Sequence, residues 1–418
     1  MAKPILLRSA AELLEVILSG DLPADAQMDR YFRAHRQMGV RDRGQVAEAV
    51  YGTLRERRVL AHVSGSDAPT DLLVAWWITQ GVSARALETS GYRRDTRTIA
   101  ERVRTLDRTQ LPFPIRTNLP DWLAEKLLAQ FGETETLALA EALNRPAPVD
   151  LRVNTLKTER DALQARLAQD GIETIPTPYS PAGLRRDDRA PLFHTSAFKD
   201  GWFEVQDEGS QLISNLVEPR RHEMVADFCA GAGGKTLHLG ALMANSGTLY
   251  AFDTAARRLD RLKPRMRRAG LDNIRNVAIA HERDDRVRRL QGKLDRVLVD
   301  APCSGTGTLR RNPDIKWREL DIDSMVATQL AILKAAAALV KPGGRLVYAT
   351  CSVLREENEG VVERFMAERP PFEYVPVSAI FERRHIGLAT DDALRLLPHR
   401  HNTDGFYAVV LERHGKTG

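Results

Sequence analysis

The chain has 418 residues, 43% hydrophobic and 28% charged, enough for two or three domains with cores of their own and unlike a disordered or low-complexity polymer. A formal net charge of +5 and a pI near 9.1 permit a nucleic-acid partner without requiring one. No run approaches ~18 consecutive apolar residues, so no membrane span is expected; with only Cys229, Cys303 and Cys351 and no Cys-x-x-Cys, neither a disulfide framework nor a metal site is expected, and a reducing cytosol is the natural setting.

Residues 1–110 read as helical, and the start turns charged and amphipathic too early for a secretory signal. Ser9-Ala10-Ala11-Glu12 fits a capping box, with Leu13, Leu14, Ile17 and Leu18 forming one apolar face behind it. "RDRGQVAEAVYGTLRERRVLAHV" sets Val46, Val50 and Leu54 at helical spacing among arginines that read as a solvated face, and Trp76 and Trp77 read as core. Residues 111–220 read as a small α+β module: a helix at "LPDWLAEKLLAQFG", a strand at "APVDLRVNTL", a helix stopped near Gly171, then "GWFEVQDEGSQL".

Residues 221–418 alternate strand and helix. The strands are "MVADF", "GTLYAFD", "NVAIA", "RVLVDAP" and "GRLVYAT"; the helices between and after them include "TAARRLDRLKPRMRRAG", "MVATQLAILKAAAALV" and "REENEGVVERFMAE". Apolar strands alternating with helices imply a doubly wound parallel sheet. "FEYVPV" and "GFYAVVLE" fit antiparallel edge strands, and Pro264 is expected to kink its helix. From Arg257 to Arg268 that helix carries seven Lys/Arg and one acid, a face that is solvated or tracks phosphates.

"DFCAGAGGKT" (Asp227–Thr236) is a glycine turn between a strand and a helix, where backbone N–H groups face a ligand. A phosphate loop needs glycine at 229, which is cysteine, and a dinucleotide fingerprint needs Gly or Ala at 236, which is threonine. Asp253 closes the second strand, where a carboxylate can accept from both ribose hydroxyls, so the pattern names an adenosine cofactor and no reaction.

The reaction is legible further on. Asp300 and Cys303 end one strand and Cys351 ends the next, each cysteine followed by serine; strands ~4.8 Å apart would let both thiols reach one base. The helix predicted over "REENEGVVERF" would favour a thiolate at Cys351 through its N-terminal dipole. Methylation of cytosine at C5 requires such a thiolate, because attack at C6 makes C5 enamine-like before the methyl arrives. A cysteine closing a core strand is commonly packing, and that reading suits Cys229 in the glycine turn.

"DFCAGAGGKT", "VDAPCSGTGTLRRNPDIKW", "YATCSVLREENE" and "LLPHRHNTDGFYAVVLER" together resemble the RsmB/Sun/NOP family of RNA cytosine-5 methyltransferases; "PVDLRVNTLK" and "WFEVQDEGSQL" extend the likeness into the middle module. The resemblance implies a class I (Rossmann-like) methyltransferase domain at 221–418, a small RNA-recognition-like module at 111–220 and a helical NusB-like RNA-binding domain at 1–110. It implies S-adenosyl-L-methionine as cofactor, with Cys229, Ala230, Gly231, Ala232, Gly233, Gly234 and Lys235 around its methionine part and Asp253 on its ribose. Cys351 would be the nucleophile and Cys303 would assist product release. Asp300 would sit between cofactor and cytosine, and Lys235 would point to the reaction site.

The family's usual loop has Ala-Pro where this chain has Gly231-Ala232, and on the adenine side "AHERDDR" leaves Glu282 and Asp284 competing, with Glu282 preferred. Arg310 and Arg311, just past the catalytic turn, are candidates for the RNA backbone. The target is expected to be ribosomal RNA at a single-stranded or bulged cytosine, met by a monomer in the cytoplasm. The alternative is an inactive RNA-binding or ribosome-assembly factor that keeps the fold.

Overall fold

The computed structural model describes residues 4–89, 92, 95–187 and 190–415. The chain forms two compact units, one of Met1–Pro146 with Thr308–Leu320, the other of Ala147–Gly307 with Asp321–Gly418. This division departs from boundaries at 110 and 220. The helix Asp121–Leu143 falls within the first unit, and the small sheet expected as a separate module falls within the second.

In the first unit the helices Pro4–Ser19, Ala24–Ala34, Val40–Ser64 and Pro69–Thr79 bury Leu13, Leu14, Val46, Val50, Leu54, Trp76 and Trp77 in one core. The capping box does not form. The helix already starts at Pro4, which leaves Ser9 buried in its interior, while Glu12 accepts from Arg8 Nε and Tyr31 Oη. The helix Val40–Ser64 breaks at Glu56 (φ −107°, ψ 17°) without a glycine or proline at that position.

The segment Thr308–Leu320 supplies what that break leaves open. Val59 N donates to Asn118 Oδ1 (3.1 Å). The Arg55 carbonyl, which a straight helix would have paired with Val59, accepts instead from Lys316 Nζ (2.7 Å). Lys316 also donates to Asn118 O (3.0 Å) and Asn144 Oδ1 (2.7 Å), and Trp317 Nε1 donates to Leu54 O (2.8 Å). Asp314 caps the helix Ala24–Ala34 by accepting from Ala24 N (3.2 Å), a role that Pro23 cannot fill. Lys316 is 1% exposed, and burial, then the Arg55 charge, hold its ammonium well below the ordinary lysine range.

The second unit contains two sheets. A four-stranded antiparallel sheet has the order β2–β3–β1–β4: β1 (Val149–Val153), β2 (Ile175–Pro176), β3 (Gly183–Arg186) and β4 (Phe203–Val205). Its core is Leu151, Val153, Leu163, Leu167, Leu184 and Phe203. Asp150 and Arg185 form a buried two-point ion pair across β1 and β3 (2.7 and 2.9 Å).

The larger sheet comprises β5 (Met224–Asp227), β6 (Thr248–Asp253), β7 (Ile274–Ala278), β8 (Leu294–Asp300), β9 (Val340–Thr350), β10 (Phe372–Val375), β11 (Ala393–Leu396) and β12 (Phe406–Arg413). Its order is β10–β12–β9–β8–β5–β6–β7, and the five strands β5 to β9 are parallel. This is the doubly wound class I arrangement that the alternation implies. β12 pairs antiparallel with β9, and its other side carries β11 along 406–409 and β10 along 410–413. The helix Ala256–Ala269 runs through Pro264 without a break. Two of its seven basic side chains are engaged with the small sheet: Arg265 and Arg268 pair with Glu204 of β4, and Arg268 also stacks on Phe198, while Arg257, Arg258, Arg261, Lys263 and Arg267 are exposed.

Lys316→Ala strands two backbone carbonyls and the Asn144 oxygen inside the helical unit. A loss of about 3 kcal/mol is expected in urea unfolding followed by tryptophan fluorescence; a loss below about 1 kcal/mol would show that the kinked helix is served by other donors.

Candidate active site

The glycine turn leaves β5 at Asp227 and enters the helix Gly234–Leu242. Gly231 (φ 56°) and Gly233 (φ 86°) occupy the left-handed region, and a Cβ on Gly233 would lie 2.2 Å from Leu262 Cδ1. Both positions therefore require glycine, one for its backbone and the other also for space. Ala230 N donates to Phe252 O (2.8 Å), and Gly231 N donates to Asp253 Oδ2 (2.8 Å) at the end of the neighbouring strand. The second carboxylate oxygen accepts from Ala255 N (2.7 Å). Each of these oxygens keeps a second acceptor site, so the fixed carboxylate can still receive ribose hydroxyls.

The turn opens on a cavity of about 710 Å³. Cys229, Ala230, Gly231, Ala232, Gly234, Lys235, Asp253, Glu282, Asp300, Cys303 and Cys351 all line it; Gly233 does not, since it faces Leu262. Sequence reasoning missed several other walls. Gln206 and Ser210 come from the β4-to-helix turn, Ile279 and His281 from the β7 end, and Thr328 and Ile332 from the helix Ile322–Ala337. Polar and small residues within one helix carried no signal of their own, because a helix face reads the same whether it meets a cofactor or a core.

The adenine-side alternatives separate. Glu282 faces the cavity. Asp284 instead caps the helix Asp285–Arg288, accepts from Ala280 N (2.9 Å) and pairs with Arg286 (2.8 Å). Its contacts, foremost that with Arg286, hold its carboxyl far below the usual range.

β8 and β9 are parallel neighbours with Asp300 opposite Ala349, which brings the turns after them together. Cys303 Sγ and Cys351 Sγ lie 3.3 Å apart as free thiols. Contact with Cys351, then burial, push the Cys303 thiol well up, so Cys303 keeps its proton. Lys235 Nζ donates to Asp300 Oδ2 (2.8 Å) and lies 5.4 Å from the Phe406 ring centre. Burial would lower the Lys235 ammonium, but Asp300 and Cys351 hold it above the ordinary lysine value. Cys229 is pushed well up by burial and then by Asp227, Asp300 and Asp253, which makes it an inert wall of the cavity.

Two expectations change. The helix after Cys351 begins at Glu359 and not at Arg355, so the thiol is not seated at its N-terminus and the positive group beside it is Lys235. Arg310 is 5% exposed within the segment that folds with the helical unit, and its carbonyl accepts from Arg55 Nη2 (3.0 Å); burial takes this side chain away from an RNA backbone. Arg311 is half-buried.

Asp227, at the root of the glycine turn, is 1% exposed; it accepts from Thr236 Oγ1 (2.7 Å) and leaves Oδ1 without a partner. Burial foremost raises its carboxyl to about 7. Between its ordinary value and 7 the folded chain keeps a proton that the unfolded chain releases, so stability falls as pH rises through this window. Asp227→Asn removes that penalty. Its stability advantage over the native chain should grow by about 2–3 kcal/mol from pH 5 to pH 8 in denaturant titrations. An advantage independent of pH would place the titration elsewhere.

Residues 214–412 match the family model described as 16S rRNA methyltransferase RsmB/F, and residues 119–192 match that of the RsmF/B-like ferredoxin-like domain. The chain is 30% identical over 417 residues to the probable ribosomal RNA small subunit methyltransferase B of Bacillus subtilis, covering 91% of this chain and 92% of that protein. It is 33% identical over 328 residues to the mouse (Mus musculus) 28S rRNA (cytosine-C(5))-methyltransferase, covering 75% of this chain and 41% of that one. A crystal structure of a methyltransferase homolog protein from Pyrococcus horikoshii, 29% identical, superposes with a TM-score of 0.62 over 74% of this chain and 100% of that one. The chain belongs to the RsmB/F family of ribosomal RNA methyltransferases.

Proposed function

We propose that the chain methylates C5 of a cytosine in ribosomal RNA through a covalent bond between Cys351 and C6 of the base. As a member of its family it is an S-adenosylmethionine-dependent RNA cytosine methyltransferase. The observation that supports the covalent route is the pair of free thiols 3.3 Å apart on one wall of the cavity, with the Lys235–Asp300 pair beside them.

The glycine turn, Asp253 and Glu282 fit an adenosine cofactor with a charged amino-acid tail: they offer a backbone cradle, a ribose acceptor and an acceptor on the adenine side. Bound there, S-adenosylmethionine supplies an electrophilic methyl group. The Cys351 sulfur adds to C6 as a thiolate, and electron density moves to C5. Asp300, fixed by Lys235, accepts from the cytosine edge. Once C5 carries the methyl, a water acting as base takes the C5 proton, the C–H electrons re-form the C5=C6 double bond, and the C6–S bond breaks with its electron pair on sulfur, which returns as a thiolate. Cys303, which holds its proton, lies within reach of that sulfur and assists its departure. The chain is proposed to act as a monomer. The helical unit and the small sheet are the proposed RNA-binding parts, with Arg311 near the backbone of a single-stranded or bulged target in the cytoplasm.

Cys351→Ala should reduce methyl transfer to background, and Cys303→Ala should accumulate a protein–RNA adduct that survives a denaturing gel. Bisulfite sequencing of ribosomal RNA with the gene intact and deleted should show one cytosine losing protection. Full activity in Cys351→Ala would exclude the covalent route through this residue.

A further inference from the structure

Each of the two facing cysteines is followed by a serine, and the mechanism uses neither hydroxyl. Both hydroxyls converge on Glu357, a side chain that is 0% exposed and does not line the cofactor cavity. Glu357 Oε2 accepts from Ser304 Oγ and from Ser352 Oγ. Its Oε1 accepts from Ser304 N (2.8 Å) and Gln329 Nε2 (2.9 Å). Gln329 Nε2 also reaches Pro302 O (2.9 Å), on the same turn as Cys303. Around this centre, Thr306 Oγ1 accepts from Val353 N (3.1 Å), Gly307 N donates to Cys351 O (2.9 Å) and Asn358 Nδ2 donates to Ser352 O (3.0 Å).

We propose that Glu357 is a positioning residue: by accepting from Ser304 and Ser352 together, it fixes the turn after Cys303 against the turn after Cys351 and sets the spacing of the two thiols. This rests on the reading in which both cysteines act. The two serines lie on turns from different strands; their hydroxyls lie 3.2 Å apart and both reach Thr306 Oγ1, and the one carboxylate anchors the pair by accepting from each. All four groups around it are donors, two to each oxygen. An amide that keeps its oxygen toward Ser304 N and Gln329 turns its NH2 to the serines, whose hydroxyls must then rotate to accept, which reverses both serine hydrogen bonds and removes their charge assistance. The carboxylate touches neither thiol through a hydrogen bond, so its effect on the reaction passes through the serines.

The test uses the full-length protein as native, Glu357→Gln and Ser304→Ala/Ser352→Ala forms. Two rates are followed. One is methyl transfer to ribosomal RNA, separated into kcat and the KM for S-adenosylmethionine. The other is closure of a Cys303–Cys351 disulfide by diamide, which takes two electrons from the thiols and is itself reduced to the hydrazine; peptide mapping identifies the bond. Glu357→Gln should lower kcat by up to about 100-fold with cofactor KM unchanged, and should slow disulfide closure roughly tenfold. Native-like kcat and closure would overturn the proposal, as would a loss confined to cofactor KM. If Glu357→Gln does not melt cooperatively, the double serine variant carries the test, because it keeps the contacts of the carboxylate with Ser304 N and Gln329; the same two falls are expected and native rates overturn the proposal. Disulfide closure does not depend on methyl transfer. A Cys351→Ala form that still methylates would therefore defeat the two-cysteine mechanism while leaving the positioning role to be judged by closure.

Discussion

The parallel pairing of β8 with β9 is the constraint on which the site depends. The register sets Asp300 opposite Ala349, so the turns that follow carry Cys303 and Cys351 to one place. A one-residue slip in a strand sends its side chains to the opposite face, and here it would separate the thiols and turn Asp300 from Lys235. The pairing is well defended. Val297, Leu298, Val299, Leu346, Val347 and Tyr348 are all fully buried, and β12 closes the far side of β9 through Tyr407–Glu412. Gly307 and Gly405 then bring the ends of this layer together, where a Cβ on Gly307 would lie 2.1 Å from the Gly405 carbonyl oxygen.

The cofactor turn is held in a different way. Where the family's usual loop has proline, this chain has Gly231-Ala232, which leaves more conformational freedom in the unbound turn. The structure restrains it from outside. Arg152 of β1 donates to Gly234 O (2.7 Å), Arg265 donates to Ala232 O, and Asp253 holds Gly231 N. Arg265 also pairs with Glu204 of β4. The four-stranded sheet thus steadies the cofactor turn of the larger sheet, in addition to any role with RNA.

Much of this was legible in the sequence, for physical reasons that differ by element. The strands β5 to β9 were readable because apolar runs bounded by glycine or charge leave few alternatives, and the glycine turn because Cys229 rules out a phosphate loop and Thr236 weakens a dinucleotide fingerprint. The two cysteines stood out through their places at strand ends. The short strands β2, β3 and β11 were not readable, since a few residues carry no period and pair only because tertiary neighbours supply the partner. The capping-box signature at Ser9 was misleading, because Pro4 and Ile5 extend the same helix toward the N-terminus. Glu357 carries no signal in the sequence: in a run of Arg-Glu-Glu-Asn-Glu, a buried acceptor looks like one more solvated acid. The choice between Glu282 and Asp284 needed the fold, because both lie within one turn of chain.

The excursion of Thr308–Leu320 has a consequence for how the protein is made. The kinked helix Val40–Ser64 leaves the ribosome early, but the lysine and tryptophan that serve its open carbonyls emerge only after residues 147–307 have been synthesised. The helical unit must therefore remain incomplete while the first strands of the larger sheet are formed. It finishes only when the chain returns to it, immediately after the Cys303 turn has been laid down. The two units are consequently not successive beads that fold in order. The last pieces of the amino-terminal unit arrive from within the catalytic one, and a nascent chain halted before residue 320 would expose an unfinished helix to the chaperones and proteases of the cell.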